Sequence, residues 1–407
     1  MIRGALDSDL GEGGGGPRAG CRIYGLEIDS GLDLYTRRRR GPAEADVRVL
    51  LGSNVPHTRE VPEGDLMAQW SIESGLRASF VRCGDGTHLL RFEQTCDVIV
   101  DPIEGLVRVH MVEGVSPAMG GVLVSGTVLS YLLMLRGERV LHASAVDMGS
   151  HAVGIVGSSG MGKTTLATLL CRDGGLLITD DVLRLDPGSA GGFGCALGAT
   201  EVRLRQAAVG LSEDFDQRAT HRDTADDRRA LSVPTSTTEH VPLCALLIPR
   251  PRRDGAPLAL TRIPAAQATM ALLSFPRILG VRDSDLLAMQ LRQMADVAAS
   301  VPLFVADVPW GPPFAAGLAG DLMAMLGDLV GGETDRGELA DADPVSALVA
   351  ECGQIPPAAD DELAALQVAI HLEEATGRRV PAELLAPAHL VGQSALSSTV
   401  RRLLGDA

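Results

Sequence analysis

The run Gly157-Ser158-Ser159-Gly160-Met161-Gly162-Lys163-Thr164 fits G-x-x-x-x-G-K-[ST], with an apolar stretch before it and an apolar helical stretch after it. Glycines at this spacing let backbone N–H groups turn inward around a polyphosphate. The helix that follows adds the positive end of its dipole, and Lys163 can reach the outer phosphates. Thr164, followed by Thr165, supplies a hydroxyl of the kind that holds Mg2+. Lys163 is the only lysine among 36 basic residues, all others being arginine. A compact ammonium is therefore kept at one place, where a guanidinium is not its equivalent. Asp180 and Asp181 follow an apolar strand at 176–179. At the carboxyl edge of a parallel sheet one carboxylate can bind Mg2+ and the other can accept the proton of an attacking hydroxyl, two tasks of phosphoryl transfer. His142 is flanked by Leu141 and Ala143 just ahead of the loop strand, which suits a core histidine as well as an active-site one. Arg228 and Arg229 lie in a charged stretch, where they either clamp phosphate or simply face solvent.

Such residues must be held by a strand, a loop, a helix and a second strand. Residues 152–156 predict the first strand, 163–170 the helix and 176–179 the next strand, the parallel α/β pattern. Upstream, 139–147 reads as one strand and 114–135 as a helix. Residues 114–135 carry no charge and are long enough to cross a bilayer, but the opening Ser-Pro, the Gly120-Gly121 pair and three hydroxyl side chains favour a buried helix. Residues 1–20 predict a disordered tail and 21–112 a β-rich region, with strands at 45–51, 88–92, 98–100 and 107–111. Residues 113–330 form the α/β domain, in which 188–238 reads as a charged loop covering a site. Strands at 241–248 and 302–307 and helices at 264–273 and 283–299 complete it. A polar, glycine-rich linker is expected at 331–343, and a small helical unit at 344–407. The run Arg37 to Arg40 predicts a solvated turn.

Composition narrows the class. Hydrophobic residues make up 45% and charged residues 22%, a globular balance. A formal charge of -16 argues against a general nucleic-acid binder that relies on phosphate neutralisation. With 2 tryptophans, 3 tyrosines and 7 phenylalanines, a base-stacking surface for long strands is also excluded. Seven cysteines with no C-x-x-C pair suit a reducing compartment, and no zinc spacing is present. The first twenty residues lack the apolar core of a signal peptide, so a cytoplasmic protein with no membrane span is expected.

The series LHASAV, GSSGMGKTT fifteen residues after His142, and ITDDV resembles the HPr kinase/phosphorylase family and its relatives. RGERVLHASAV, IYGLEIDSGL and VPLFVADVPWGP resemble the HPr-kinase-like kinases found beside peptide natural-product maturation genes, especially lasso-peptide ones. The resemblance covers about residues 22–328. It implies an α/β fold with a P-loop HPr-kinase-like core, an N-terminal β-rich region and a small C-terminal all-α unit. It also implies that His142 lies in the active site, that residues 157–165 hold ATP and Mg2+, and that Asp180 or Asp181 activates a serine hydroxyl. The carboxyl-terminal signature of true HPr kinases is missing, so neither HPr as substrate nor the reverse phosphorylase reaction is implied. Asp361-Glu362-Leu363 and the AALQVAIHLEEATGRRVPAELL that follows resemble the second half of an acyl or peptidyl carrier domain, although any small helical bundle also suits the pattern. Glu362 stands where such a domain carries its phosphopantetheine serine, so a docking role for a partner is expected instead. The expected activity is an ATP-dependent kinase acting on a hydroxyl, most simply a serine of a peptide or protein substrate. The alternatives are a small-molecule hydroxyl kinase on the same scaffold and a nucleotide-binding regulatory or scaffold protein without transfer. A homo-oligomer is left open.

Overall fold

The computed structural model describes residues 19–72, 75–149, 151–188, 191–205, 208, 211, 221–225 and 228–331, and further on residues 349, 352, 365, 367–369, 371–372 and 380–404. By its contacts the chain divides into two units, Met1–Met325 and Leu326–Ala407.

Eight strands open the first unit: β1 (Ala19–Ile23), β2 (Leu26–Ser30), β3 (Val47–Leu51), β4 (Asp65–Ser71), β5 (Arg77–Arg82), β6 (His88–Phe92), β7 (Cys96–Asp101) and β8 (Leu106–Met111). They form one sheet in the order β1-β2-β3-β8-β7-β6-β5-β4. Strand β1 begins at Ala19, paired with Ser30, so the expected tail gives way to structure before residue 20. Alternation sorts the faces: in β2 Leu26 and Ile28 are buried while Glu27 and Asp29 are half-exposed. Phe80 anchors the buried face, with edge-to-face contacts to Trp70 at 4.9 Å, Phe92 at 5.5 Å and Tyr131 at 4.9 Å.

Tyr131 belongs to α1 (Pro117–Leu135), which starts with a Ser116 side-chain cap on the Ala118 amide and Pro117 in the first turn. The uncharged stretch spends its apolar side chains on the core: Val124, Val128, Leu129, Leu132 and Leu133 are fully buried beside the sheet residues. Val124–Val128 makes one π-helical turn, a local rewinding that the composition did not reveal. The arginine run is only partly solvated: Arg37 and Arg39 are exposed, Arg38 and Arg40 half-buried. Arg38 donates to the Ser236 carbonyl at 2.8 Å, Arg37 to Ser232 Oγ at 2.5 Å, and Arg40 pairs with Asp29 at 3.0 Å.

The second sheet holds β9 (Arg139–Leu141), β10 (Ala143–Asp147), β11 (Ala152–Val156), β12 (Leu176–Thr179), β13 (Leu183–Pro187), β14 (Phe193–Cys195), β18 (Val241–Arg252), β19 (Ala259–Ile263) and β20 (Leu303–Pro309). Strand, loop, helix and strand are all present, as β11, α2 (Lys163–Arg172) and β12. The two strands are not neighbours, however. β10 lies between them and is antiparallel to both. The sheet is therefore mixed, with parallel pairing confined to β11·β18 and β18·β20. Because β11 and β12 are each antiparallel to β10, they run the same way and end at the same edge. Further on, α3 (Ala265–Leu273) and α4 (Ser284–Ser300) pack Ala268, Leu272, Met294 and Val297 into the core under this sheet.

Two expectations change here. The strand expected over 139–147 breaks at His142, since β9 pairs with β13 whereas β10 pairs with β11 and β12. The stretch 188–238 is not plain loop: besides β14 it contains β15 (Glu201–Leu204), β16 (His221–Asp223) and β17 (Arg229–Ser232), a separate sheet in the order β15-β17-β16. Its buried side chains are few, Val202, Leu204 and Leu231 on one face and Ala230 on the other, a pattern easily hidden among charges.

Helix α5 (Leu318–Gly331) runs through the start of the expected linker. In the second unit, α6 (Pro387–Leu390) and α7 (Gln393–Leu404) bury Leu390, Leu396, Val400 and Leu403 with Val349, Cys352, Ala365, Val368 and Leu372. Asp361, Glu362 and Leu363 lie outside the described residues, as do 332–343.

Candidate active site

The edge where β11 and β12 end collects the residues singled out by spacing. After β11 the chain turns through Gly157, Gly160 and Gly162, at φ of 151°, 87° and 96°, values that a side chain would strain. Gly162 caps α2, whose buried Leu166, Leu169 and Leu170 hold the helix against the sheet. Lys163 opens that helix and is only 7% exposed, its ammonium donating to the carbonyls of Gly157 at 2.8 Å and Ser158 at 3.1 Å. Burial lowers the Lys163 pKa below the ordinary lysine value, opposed by the carboxylates of Asp181 and Asp180.

The two aspartates after β12 face different ways. Asp181 takes the left-handed conformation at φ 71°, which aspartate tolerates better than most residues, and this turns consecutive carboxylates apart. Asp180 is buried. Its Oδ1 accepts from Ser144 Oγ at 2.6 Å and Thr164 Oγ1 at 3.0 Å, and its Oδ2 from the Arg203 amide at 3.3 Å. Asp181 opens into a cleft and meets three basic side chains: His142 Nε2 at 3.2 Å, Arg277 Nη2 at 3.1 Å and Arg203 Nη2 at 3.5 Å. Burial works to raise its pKa, but Arg277, His142 and Arg203 together hold it well below the usual carboxylate range. The break between β9 and β10 is what aims His142 here. The π turn of α1 completes the packing, since a Cβ on Gly126 would come within 3.0 Å of Arg277 Nη2. The Tyr24 hydroxyl donates to the Ser125 carbonyl at 2.9 Å and ties that turn to the first sheet.

The cleft has a volume of about 650 Å3 and is lined by Ser159, Gly160, Gly162, Lys163, Thr164 and Thr165 of the loop and helix. Arg203, Arg205, Arg228, Arg253 and Arg277 join Lys163 in its lining, and among its described lining residues Asp181 is the only acid. Arg205 reaches the loop directly, donating to Ser159 Oγ at 2.7 Å. A protein with net charge -16 thus concentrates positive charge at one concave site, an arrangement that draws in and holds polyanions.

Of the expected pair of arginines, Arg228 lines the cleft, whereas Arg229 lies in β17 and pairs loosely with Asp223 at 3.8 Å. Arg203, Arg205, Arg253 and Arg277 escaped the sequence reading because no motif spacing marks them and they lie far along the chain from the loop, and Ser144, although only two residues from His142, escaped because nothing in sequence shows its hydroxyl facing Asp180. No cluster of three or more His, Cys, Asp or Glu able to hold a metal occurs among the described residues. The Thr164 hydroxyl and the Asp180 carboxylate do offer adjoining hard oxygens, which suit Mg2+ when phosphates and water supply the remaining ligands. No protein-family model matches this chain, and no curated protein is similar to it in sequence.

Proposed function

We propose that this chain is an ATP-dependent kinase with an HPr-kinase-like P-loop core, transferring the γ-phosphoryl group to a hydroxyl, with a serine of a peptide or protein as acceptor. One observation carries the reading: the only lysine of the chain and five arginines converge on a cleft whose described lining presents a single carboxylate. Phosphoryl transfer needs little else than a polyphosphate cradle, charge around the moving group and a proton acceptor.

In this reading the amides of residues 158–163 and the ammonium of Lys163 hold the β- and γ-phosphates. Thr164 and Asp180 would hold Mg2+, which when bound neutralises charge on the phosphate oxygens. Asp181 takes the proton of the acceptor hydroxyl as its oxygen bonds to the γ-phosphorus and the bond to the β-phosphate oxygen breaks, releasing ADP. A carboxylate paired with two guanidiniums is a weak base. Phosphates arriving beside Arg203 and Arg277 compete for those guanidiniums, leaving Asp181 with His142 and raising its basicity. His142 is a positioning residue, orienting Asp181 through the 3.2 Å contact.

Calorimetric titration tests the placement. Mg-ATP binds the wild type, Lys163→Ala weakens it strongly, and Lys163→Arg, which keeps the charge but not the compact ammonium, fails to restore transfer. Equal affinity in wild type and Lys163→Ala would remove the nucleotide from this loop.

A further inference from the structure

Aromatic side chains are scarce in this chain, and most of the described ones are buried in its cores. Three line the cleft: Trp70, which also packs edge to face on Phe80, and two that lie apart from the cores. Trp310 and Phe314 follow β20, meet edge to face at 5.6 Å and 77°, and line the cleft with Pro312 and the exposed Arg253. Trp310 is held by its backbone N–H to the Arg252 carbonyl at 2.8 Å. The benzo half of its indole rests on Gly162, where an added Cβ would come 2.7 Å from Cη2. The indole is therefore seated against the last glycine of the loop, one residue from Lys163. A nucleotide whose phosphates occupy the loop carries its base past the α-phosphate and ribose, to whatever surface borders the loop.

We propose that Trp310, supported by Phe314 and flanked by Arg253, is the nucleobase shelf of this cleft, gripping the base by its face. This rests on the polyphosphate lying at the glycine loop, and it adds the place where the base is held. Stacking is tolerant because every base has a π face.

The experiment titrates the full chain by calorimetry with Mg-ATP, Mg-GTP and Mg-tripolyphosphate. Trp310→Leu is expected to weaken both nucleotides by about tenfold or more, the usual loss for one stacked base, and to leave tripolyphosphate unchanged. Trp310→Phe retains most of the affinity for both nucleotides. As an independent readout, Trp310 is the only tryptophan left in Trp70→Phe, which keeps an aromatic ring at that part of the lining, so its emission falls with ATP and not with tripolyphosphate. Equal loss for tripolyphosphate would mean that Trp310 only braces the loop through Gly162, which overturns the shelf. So would undiminished nucleotide binding in Trp310→Leu, or an unquenched indole. A wild type that binds neither tripolyphosphate nor nucleotide is a separate failure, that of the phosphate placement itself.

Discussion

Replacing Asp181 with asparagine separates three properties that usually fall together. The carboxylate sits 3.1 Å from Arg277 and 3.5 Å from Arg203, with side-chain exposures of 25%, 12% and 21%. At an effective dielectric of about 20, each pair is attracted by about 5 kcal/mol before desolvation is counted. After the exchange with water, a hydrogen bond to a charged group is worth about 1.5–3 kcal/mol. The amide side chain would keep the shape and one acceptor oxygen, so the net loss of stability is about 1–3 kcal/mol, read as a lower Tm. The sign with pH follows from the depressed pKa. Its stabilisation is complete above the unfolded carboxylate value of about 3.9 and disappears as pH falls through the lower folded value. Wild type and Asp181→Asn should therefore differ most at neutral pH and converge in strong acid. Meanwhile Arg203 and Arg277, no longer occupied by a carboxylate, bind Mg-tripolyphosphate more tightly, by about 5- to 30-fold for ~1–2 kcal/mol. Transfer to an acceptor falls by about 10²-fold or more, the cost of losing a general base. Differential scanning fluorimetry, calorimetry and a γ-phosphate transfer assay read the three effects. Weaker tripolyphosphate binding together with near-normal turnover would refute the arrangement.

Asp180→Asn and Thr164→Ala should raise the Mg2+ concentration needed for ATP binding while leaving the metal-free affinity for nucleotide largely intact. An unchanged Mg2+ dependence would place the metal elsewhere. Deleting residues 344–407 should leave ATP binding intact, because every cleft residue lies within Met1–Met325. The same deletion should raise the KM for a protein acceptor more than it lowers kcat. Because Glu362 cannot carry a phosphopantetheine ester, a phosphopantetheinyl transferase with coenzyme A should leave the mass of the chain unchanged.

The local parts of the site were legible because their signals are local. Glycines needed at positive φ, a lysine one residue after the last of them, and an apolar strand ending in Asp180-Asp181 are short-range demands of backbone geometry and charge, so they are written contiguously. The buried course of α1 could be read in the same way, from hydroxyls and glycines within an uncharged helix. Register and partnership could not be read. Nothing in residues 139–147 says that the chain changes strand partners at His142, or that β10 slips between β11 and β12; both depend on which distant strands compete for the same hydrogen bonds. The charge balance of the site is equally non-local. Asp181 is held ionised by Arg277 and Arg203, and a single turn of π helix makes room for one of them at Gly126. An arginine in a loop looks the same in sequence whether it meets water or a carboxylate. Only the packing of the sheets, which burial of apolar faces drives without regard to where the charges fall, decided that five of them would meet here.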